Sequence, residues 1–235
     1  MHRFIERISP FWETIIVLLI GFGIFIYSST TAFLKVNSDY SHSWIYKLTS
    51  QGHFSIVIIE IISLSLIIYF LKLRGWKKED FNLEFTLKLI WTGLLIMFIK
   101  NIITNGSYKI LEFLNVIDTS TVNHVQYGLD ANWISILLIV IINSIYEEFI
   151  LIGYLFKRLH NLNPYLVIII SLIIRESYHT YQGWMSLLVI IPVGLVFGYY
   201  YAKYKKLWPI IFAHAFTNLI AFIGMYFNLR EKLNM

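Results

Sequence analysis

The sequence predicts an all-α, polytopic membrane protein, a bundle of about seven transmembrane helices with a polar cavity inside the membrane. Three observations predict it. Of the 235 residues, 57% are hydrophobic and only 14% are charged, whereas soluble domains carry about 25% charged residues. The apolar residues fall into long blocks of membrane-spanning length. Ionisable side chains interrupt three of the later blocks, and such groups inside a membrane are energetically expensive and usually functional.

Seven apolar blocks are long enough, or nearly so, to cross a hydrocarbon core as helices of ~20 residues. Because backbone polar groups must be satisfied internally in lipid, we interpret every block as a helix despite the many Ile and Val residues. The connection over residues 105–131 is long and polar, and we expect it to be a loop that holds a short surface helix or covers the site. The blocks are residues 11–34, 54–71, 84–104, 132–156, 164–180, 184–202 and 207–228.

Lys and Arg are concentrated in alternate connections, which predicts the orientation of the chain. By the positive-inside rule, the N-terminus lies in the cytoplasm and the C-terminus lies outside. The net charge of +5 therefore serves to orient helices and does not indicate a nucleic-acid partner. The basic connections carry Arg3, Arg7, Lys72, Arg74, Lys77, Lys78, Lys157, Arg158, Lys203, Lys205 and Lys206.

Composition also excludes several classes of protein. The chain has no cysteine, so disulfides, thiolate catalysis and cysteine-based zinc sites are excluded. We expect no cleavable signal peptide, because the first block is full length and lacks a small-residue cleavage pattern. A transporter is a rival class, but transporters often contain internal repeats, and this sequence shows none.

The fourth block contains two adjacent carboxylates, Glu147 and Glu148, in an otherwise almost wholly apolar run. Asn143 lies four residues before Glu147 and shares its helix face. The two glutamates lie about 100° apart around the axis, so both can face one cavity. A carboxylate in that position suits a general base that takes a proton from water. The alternative is a carboxylate paired with a buried Arg or Lys for packing alone.

The fifth and seventh blocks each carry a histidine with a polar residue four positions away. Arg175 precedes His179, which we expect to hold the same water as Glu147. His214 precedes Asn218, and together they could present N–H groups to an oxyanion. The alternatives are that His179 belongs to the polar end of a short span, and that His214 and Asn218 form an interhelical hydrogen-bond pair.

Four further residues draw notice outside this constellation. Gly194 and Gly198 form a small-xxx-small pattern, which predicts close packing of two helices. Glu13 lies near the end of its block, and we expect it to reach the membrane interface. Glu60 lies deeper, so a role in the site and a role in a helix contact both stay open.

With these residues in view, the second half of the chain, about residues 133–226, resembles the CPBP family, also called the Abi family. Its first motif is two glutamates, three residues and an arginine, commonly followed by Gly-Tyr-Leu. Residues 147–155 match this motif except that Ile152 stands where the arginine should be. Residues 175–183 resemble the arginine-bearing form of the second motif, and residues 214–218 match the third, a histidine followed four residues later by Asn or Asp.

The resemblance implies a helical bundle, with residues 132–235 as the catalytic core and residues 1–131 as N-terminal transmembrane helices and loops. It implies an intramembrane endopeptidase, in which Glu147 and His179 activate a water. His214 and Asn218 are implied as the oxyanion site, and Glu148 as a residue that supports Glu147. The missing arginine leaves a charge unsupplied, unless Arg175 provides it from the next helix.

The family has been described both as metalloproteases and as glutamate-type proteases, and we expect metal-independent chemistry. The sequence lacks a His-Glu-x-x-His run, and too few ligands remain if His214 and Asn218 bind an oxyanion. If zinc is bound, its ligands should be Glu147, His179 and His214.

The expected function is therefore a protease of the bacterial cytoplasmic membrane. Its expected partners are a peptide or membrane-protein substrate, cut near the cytoplasmic face, and membrane lipid. The alternative function is a non-catalytic membrane protein of the same fold, acting in bacteriocin immunity or regulation, which the loss of the arginine at Ile152 favours.

Overall fold

The structure, a computed structural model, describes residues 8–38, 44–115, 125–182 and 185–227, with only the backbone described next to some of the gaps. It is an all-α membrane helix bundle, as the composition predicted. Two short 3₁₀ segments, Lys78–Phe81 and Thr180–Gln182, lie between helices. The helices are α1 Pro10–Ser38, α2 Ser50–Leu73, α3 Lys88–Phe113, α4 Trp133–Arg158, α5 Pro164–Ser177, α6 Met185–Tyr204 and α7 Trp208–Tyr226.

Five of these helices, α1, α2, α3, α4 and α7, are long and apolar enough to cross a membrane. Helix α5 has only 14 residues, so it is ~21 Å long and shorter than the hydrocarbon core of ~30 Å. It ends at Ser177 because the chain turns there, so the fifth predicted block was drawn three residues too long. Helix α3 continues to Phe113, so the start of the predicted loop 105–131 is helical.

Two short strands depart from the all-helical pattern. Strand β1, Trp44–Thr49, pairs in parallel with strand β2, Val125–Asp130, and the register aligns Trp44 with Val125. The strands precede α2 and α4 respectively, so they lie outside the spans. Strand pairing outside the spans is compatible with the rule that backbone polar groups within lipid must form their hydrogen bonds inside the protein.

Helix α4 is the centre of the bundle. Of its most apolar window, 67% is buried inside the protein, compared with 22% to 28% in the other four candidate spans. Helices α2 and α7 pack against α4, whereas α3 packs against α7 and α6, and α6 also packs against α5. Any polar side chain on the inner faces of α4 is therefore enclosed by protein and not by lipid.

Contacts between helix ends show that the helices alternate in direction. At one end, Arg74 after α2 donates to the carbonyl of Ile8 before α1 at 2.7 Å. At the opposite end, the rings of Trp133 at the start of α4 and Tyr226 at the end of α7 lie 4.5 Å apart. The basic connections after α2, α4 and α6 meet at the first of these ends, where Lys157 Nζ lies 3.0 Å from Asp80 Oδ1 and Lys205 Nζ lies 5.8 Å from the centroid of the Phe156 ring. This agrees with the alternation of Lys and Arg in the sequence.

Glycines allow two pairs of helices to approach closely. A Cβ atom at Gly198 on α6 would lie 2.6 Å from Ile168 Cγ1 on α5, and Gly194 is similarly closed off by Leu172. The predicted close packing is therefore found between α5 and α6. On α3, a Cβ atom at Gly93 would lie 2.6 Å from Phe212 Cβ and 2.9 Å from the carbonyl of Pro209, so α3 lies directly against α7.

Glu13 is enclosed by protein, among residues at the end of the bundle that carries the basic connections. Its side chain is 1% exposed and lies 2.7 Å from Arg74 and 3.3 Å from Arg158. Trp76 Nε1 and Tyr154 Oη each donate to Glu13 at 3.2 Å. Because four partners from the ends of α2 and α4 surround it, Glu13 fixes the start of α1 to the bundle.

Candidate active site

The two glutamates lie where α4 changes its winding. The helix starts with a cap in which Asn132 Oδ1 accepts from Ser135 N at 2.8 Å, and it remains α-helical to Glu148. Residues Phe149–Tyr154 then form a π-helical segment, and all six are buried. Such segments occur mostly as single bulges inside α-helices, frequently at functional sites. Both glutamates face the interior, with Glu147 4% and Glu148 0% exposed.

One arginine holds both carboxylates. Arg175 on α5 is 1% exposed, and its Nη1 donates to Glu147 Oε2 at 3.0 Å. Its Nη2 lies 2.9 Å from each oxygen of Glu148. Charge-assisted hydrogen bonds of this kind are short and strong, and a buried carboxylate without a partner would be costly. The positive charge missing at Ile152 therefore comes from the neighbouring helix.

Glu147 accepts two further hydrogen bonds. Asn143 Nδ2, one turn earlier on α4, donates to Oε1 at 3.0 Å. Tyr178 Oη donates to Oε2 at 2.6 Å. Sequence reasoning did not single out Tyr178, although it stands directly before His179 within the second motif. Together the three donors fix the orientation of the Glu147 carboxylate.

His214 contacts the second glutamate. Its Nδ1 lies 2.6 Å from Glu148 Oε1. The side chain is largely buried and belongs to the N-terminal half of α7. Glu148 is thus shared between Arg175 and His214, so it links α4, α5 and α7. The imidazole is held by a carboxylate through one ring nitrogen, and the other nitrogen remains for a second contact.

His179 lies in the turn after α5 and not on the span where the sequence placed it. Its Nδ1 lies 2.9 Å from the carbonyl oxygen of Arg175, so Nδ1 carries the proton and a neutral ring has its lone pair at Nε2. The rings of Tyr178 and His179 lie 4.5 Å apart. Among the described contacts, His179 reaches Glu147 through no direct hydrogen bond, so a water would have to join them.

A third carboxylate, Glu60 on α2, belongs to the same network. Asn143 Nδ2 donates to Glu60 Oε1 at 2.7 Å, and Asn218 Nδ2 approaches Asn143 Oδ1 at a long 3.5 Å. Glu60 is 1% exposed, and within the described residues its Oε2 has no hydrogen-bond partner. The signal in the sequence was a glutamate deep in an apolar block, and only the fold shows that it faces the site.

The geometry also tests whether a metal ion would fit. Ligand atoms of Glu147, Glu148 and His214 lie within 4.8 Å of one another, whereas the sequence suggested His179 in place of Glu148. However, Arg175 already engages one oxygen of Glu147 and both of Glu148. A guanidinium between the carboxylates supplies the positive charge that a dication would supply. As arranged, these side chains do not fit a metal site.

The polar side chains of the site are packed against one another: Glu147 contacts Asn143, Arg175 and Tyr178, and Glu148 contacts Arg175 and His214. A cavity of about 210 Å³ lies at the end of the bundle that carries the basic connections, between Arg74, Trp76, Asp80 and Lys157. Glu148 is fully buried and Glu147 nearly so, so in this structure both carboxylates are shielded by the side chains around them.

Comparison with known proteins identifies one family. Residues 129–220 match the family described as Rce1-like, type II CAAX prenyl endopeptidase. The matched region runs from the end of β2 into α7 and contains Glu147, Glu148, Arg175, His179, His214 and Asn218, whereas Glu60 lies outside it. No curated protein and no solved structure matches the chain.

Proposed function

We propose that this membrane protein is an intramembrane endopeptidase, because residues 129–220 match the family described as Rce1-like, type II CAAX prenyl endopeptidase. It hydrolyses peptide bonds of a peptide or membrane-protein substrate near the cytoplasmic face of a bacterial cytoplasmic membrane. Membrane lipid is its second partner.

The observation that carries the proposal is the pair Glu147 and Glu148, buried on the central helix and held by Arg175. Ionisable residues at membrane depth are rare and generally mark sites of function. Here two histidines lie beside the carboxylates, His214 in direct contact and His179 in the turn beyond Arg175. These are the residue types that general acid–base catalysis uses.

In the proposed reaction, a water binds between Glu147 and His179 Nε2. Glu147 takes one proton from this water while the oxygen attacks the carbonyl carbon of the scissile bond. The tetrahedral intermediate then collapses, the C–N bond breaks, and Glu147 returns the proton to the leaving amine. The donors Asn143, Arg175 and Tyr178 hold the carboxylate in the orientation that this transfer needs.

His214 and Asn218 bind the oxyanion in this proposal. Since His214 Nδ1 faces Glu148 at 2.6 Å, only Nε2 can point to an oxyanion, and it carries a proton only if the ring is charged. Glu148 supplies the countercharge for that imidazolium. The contact of Asn218 with Asn143 is 3.5 Å long, so the amide can turn to a stronger acceptor at little cost.

We propose that this chemistry needs no metal, because Arg175 occupies the carboxylate oxygens that a metal would need. A second candidate function is a non-catalytic membrane protein of the same fold in bacteriocin immunity or regulation. The absence of the motif arginine at Ile152 and the burial of both glutamates favour it.

The test is cleavage by the purified protein in lipid vesicles. Pools of synthetic peptides are incubated with wild-type protein and with Glu147→Gln, and the products are identified by mass spectrometry. Glu147→Gln keeps the shape but removes the acceptor, so cleavage should fall by ~10²–10⁴-fold. Glu112→Gln, on the exposed face of α3, is the matched control.

Full activity in folded Glu147→Gln would reject the mechanism, and absence of cleavage by folded wild-type protein would favour the non-catalytic function. Each reaction is repeated with a chelator. Activity that is lost with the chelator and restored by zinc would keep the protease but reject the metal-independent chemistry.

A further inference from the structure

Helix α3 carries a buried lysine that the proposed mechanism does not use. Lys100 lies in the middle of the 26-residue helix and is 4% exposed. In the part of the chain that the structure describes, it forms neither a hydrogen bond nor an ion pair. The side chain is largely enclosed, whereas its Nζ keeps some accessible surface. An ammonium at membrane depth is costly and usually functional, so packing alone does not account for it.

The position of Lys100 on α3 directs it into the bundle. The buried face of α3 consists of Leu89, Gly93, Ile96, Lys100 and Thr104. This is the face that α3 turns towards α7 and α6. Lys100 therefore points towards the helix that carries His214 and Asn218, and not towards lipid.

The depth of Lys100 follows from the contact at Gly93. Helices α3 and α7 start at the same end of the bundle, where Trp208 Nε1 donates to the carbonyl of Leu83 at 3.1 Å. Gly93 lies against Phe212. Lys100 is seven residues beyond Gly93, or ~10 Å, and Asn218 is six residues beyond Phe212, or ~9 Å, at 1.5 Å per residue. Lys100 thus lies at the level of Asn218.

A second polar group on the same face points to a ligand. Thr104, one turn beyond Lys100, is 8% exposed, and its Oγ1 has no hydrogen-bond partner among the described residues. An ammonium and a hydroxyl one turn apart can both donate to the same anionic group. The carboxylates of Glu147 and Glu148 on α4 are already engaged by Arg175, and among the described residues no acidic side chain pairs with Lys100, which leaves it available for a ligand from outside the chain.

We propose that Lys100, with Thr104, binds a carboxylate of the peptide substrate and holds it beside the oxyanion donors. This inference rests on the proposed endopeptidase function. The carboxylate has two sources in a peptide, the C-terminus and an Asp or Glu side chain near the scissile bond. In a dry environment such an ion pair selects strongly, because the alternative is to leave the ammonium unpaired.

The experiment uses matched peptide pools with purified protein in lipid vesicles. The first two pools share all sequences and differ only in a C-terminal carboxylate or a C-terminal amide. The second two pools, both amidated, carry Asp and Glu or the isosteric Asn and Gln at every position in turn. Wild-type protein should cleave the carboxylate-bearing member of one pair about 30-fold or more faster, in kcat/KM.

Lys100→Met should reduce that preference to about one while the variant still cleaves the neutral pool, which shows that it is folded. Lys100→Arg should retain most of the preference. Lys109→Met, an exposed position on the same helix, is the control and should leave the ratio as in wild type.

If Lys100→Met loses the preference between the first two pools, the ligand is the C-terminal carboxylate of the peptide. If it loses the preference between the second two pools, the ligand is an Asp or Glu side chain of the peptide. Equal cleavage of both members in both pairs by wild-type protein would overturn this inference alone, as would an unchanged ratio in Lys100→Met. If wild-type protein cleaves no pool, the proposed function is rejected as well.

Discussion

Arg175 on α5 and Glu148 on α4 form an ion pair in which a single nitrogen, Nη2, donates to both carboxylate oxygens at 2.9 Å. The position where the motif arginine is expected, Ile152, is 0% exposed and belongs to the apolar core. Within one helix, a charge four residues after Glu148 would lie on the same face as the glutamate. In this protein the charge reaches the same carboxylate from another helix.

Arg175→Met should therefore destabilise the protein strongly. It leaves two carboxylates buried side by side without a cation, and breaking a buried ion pair in this way typically costs about 3–5 kcal/mol. The measurement is the free energy of unfolding, or the unfolding temperature, of purified protein in detergent. Lys206→Met in an exposed connection is the control, and an Arg175→Met variant as stable as this control would contradict the assigned role.

A charge swap tests whether stability requires only a guanidinium beside Glu148, or requires that α5 supply it. Ile152→Arg combined with Arg175→Met restores a guanidinium one turn after Glu148 and removes the one on α5. We expect the double variant to be more stable than Arg175→Met alone, whereas Ile152→Arg alone adds a second buried cation and should be less stable than wild type. If the destabilisation of the double variant equals the sum of those of Ile152→Arg and Arg175→Met, an arginine at position 152 on α4 does not replace Arg175.

The sequence could predict the bundle and the residues of the cluster because charges in apolar blocks are rare and conspicuous. Tyr178 escaped notice because tyrosines are common in membrane helices, and its role depends on the turn at the end of α5. The role of Glu60 required knowledge that α2 packs against α4. The paired strands β1 and β2 could not be predicted, because their pairing depends on how two connections distant in sequence meet.

Asn218→Ala should reduce kcat by on the order of 10²–10³-fold if the amide binds the oxyanion. Stability should change little, because the hydrogen bond to Asn143 is long. Thr217→Ala provides the comparison, since Thr217 Oγ1 donates to the carbonyl of Ala213 in its own helix. Peptide cleavage by both variants in vesicles gives the measurement, and a loss in Asn218→Ala that appears only in KM would argue for substrate binding instead.

Glu60 is expected to act as a positioning residue through Asn143. It accepts one N–H of the Asn143 amide and thereby directs the other N–H to Glu147. Glu60→Leu leaves a buried donor unpaired, at about 1–3 kcal/mol, and should lower kcat. Glu60→Gln can still accept with its carbonyl oxygen and should rescue kcat. If Glu60→Gln and Glu60→Leu reduce kcat equally, then the negative charge of Glu60 matters and its hydrogen bond to Asn143 does not account for the effect.

The orientation of the chain is a separate prediction. The connections rich in Lys and Arg should face the cytoplasm, and an odd number of crossings places the C-terminus outside. A C-terminal fusion to a reporter active only outside the cytoplasm should be active, and a fusion within residues 203–206 should be inactive. An inactive C-terminal fusion would contradict this orientation, because it requires an even number of crossings between a cytoplasmic N-terminus and the reporter.

The interhelical ion pair has a consequence for biogenesis. Helix α4 leaves the ribosome before α5, so its two glutamates are made before the arginine that neutralises them. A span with two unpaired acids is a poor candidate for release into lipid. The translocon must therefore retain α4 until α5 emerges, or α4 must enter with its acids protonated. Membrane insertion of this protein is then coupled across the loop at residues 159–163, and a longer linker there should delay integration of α4.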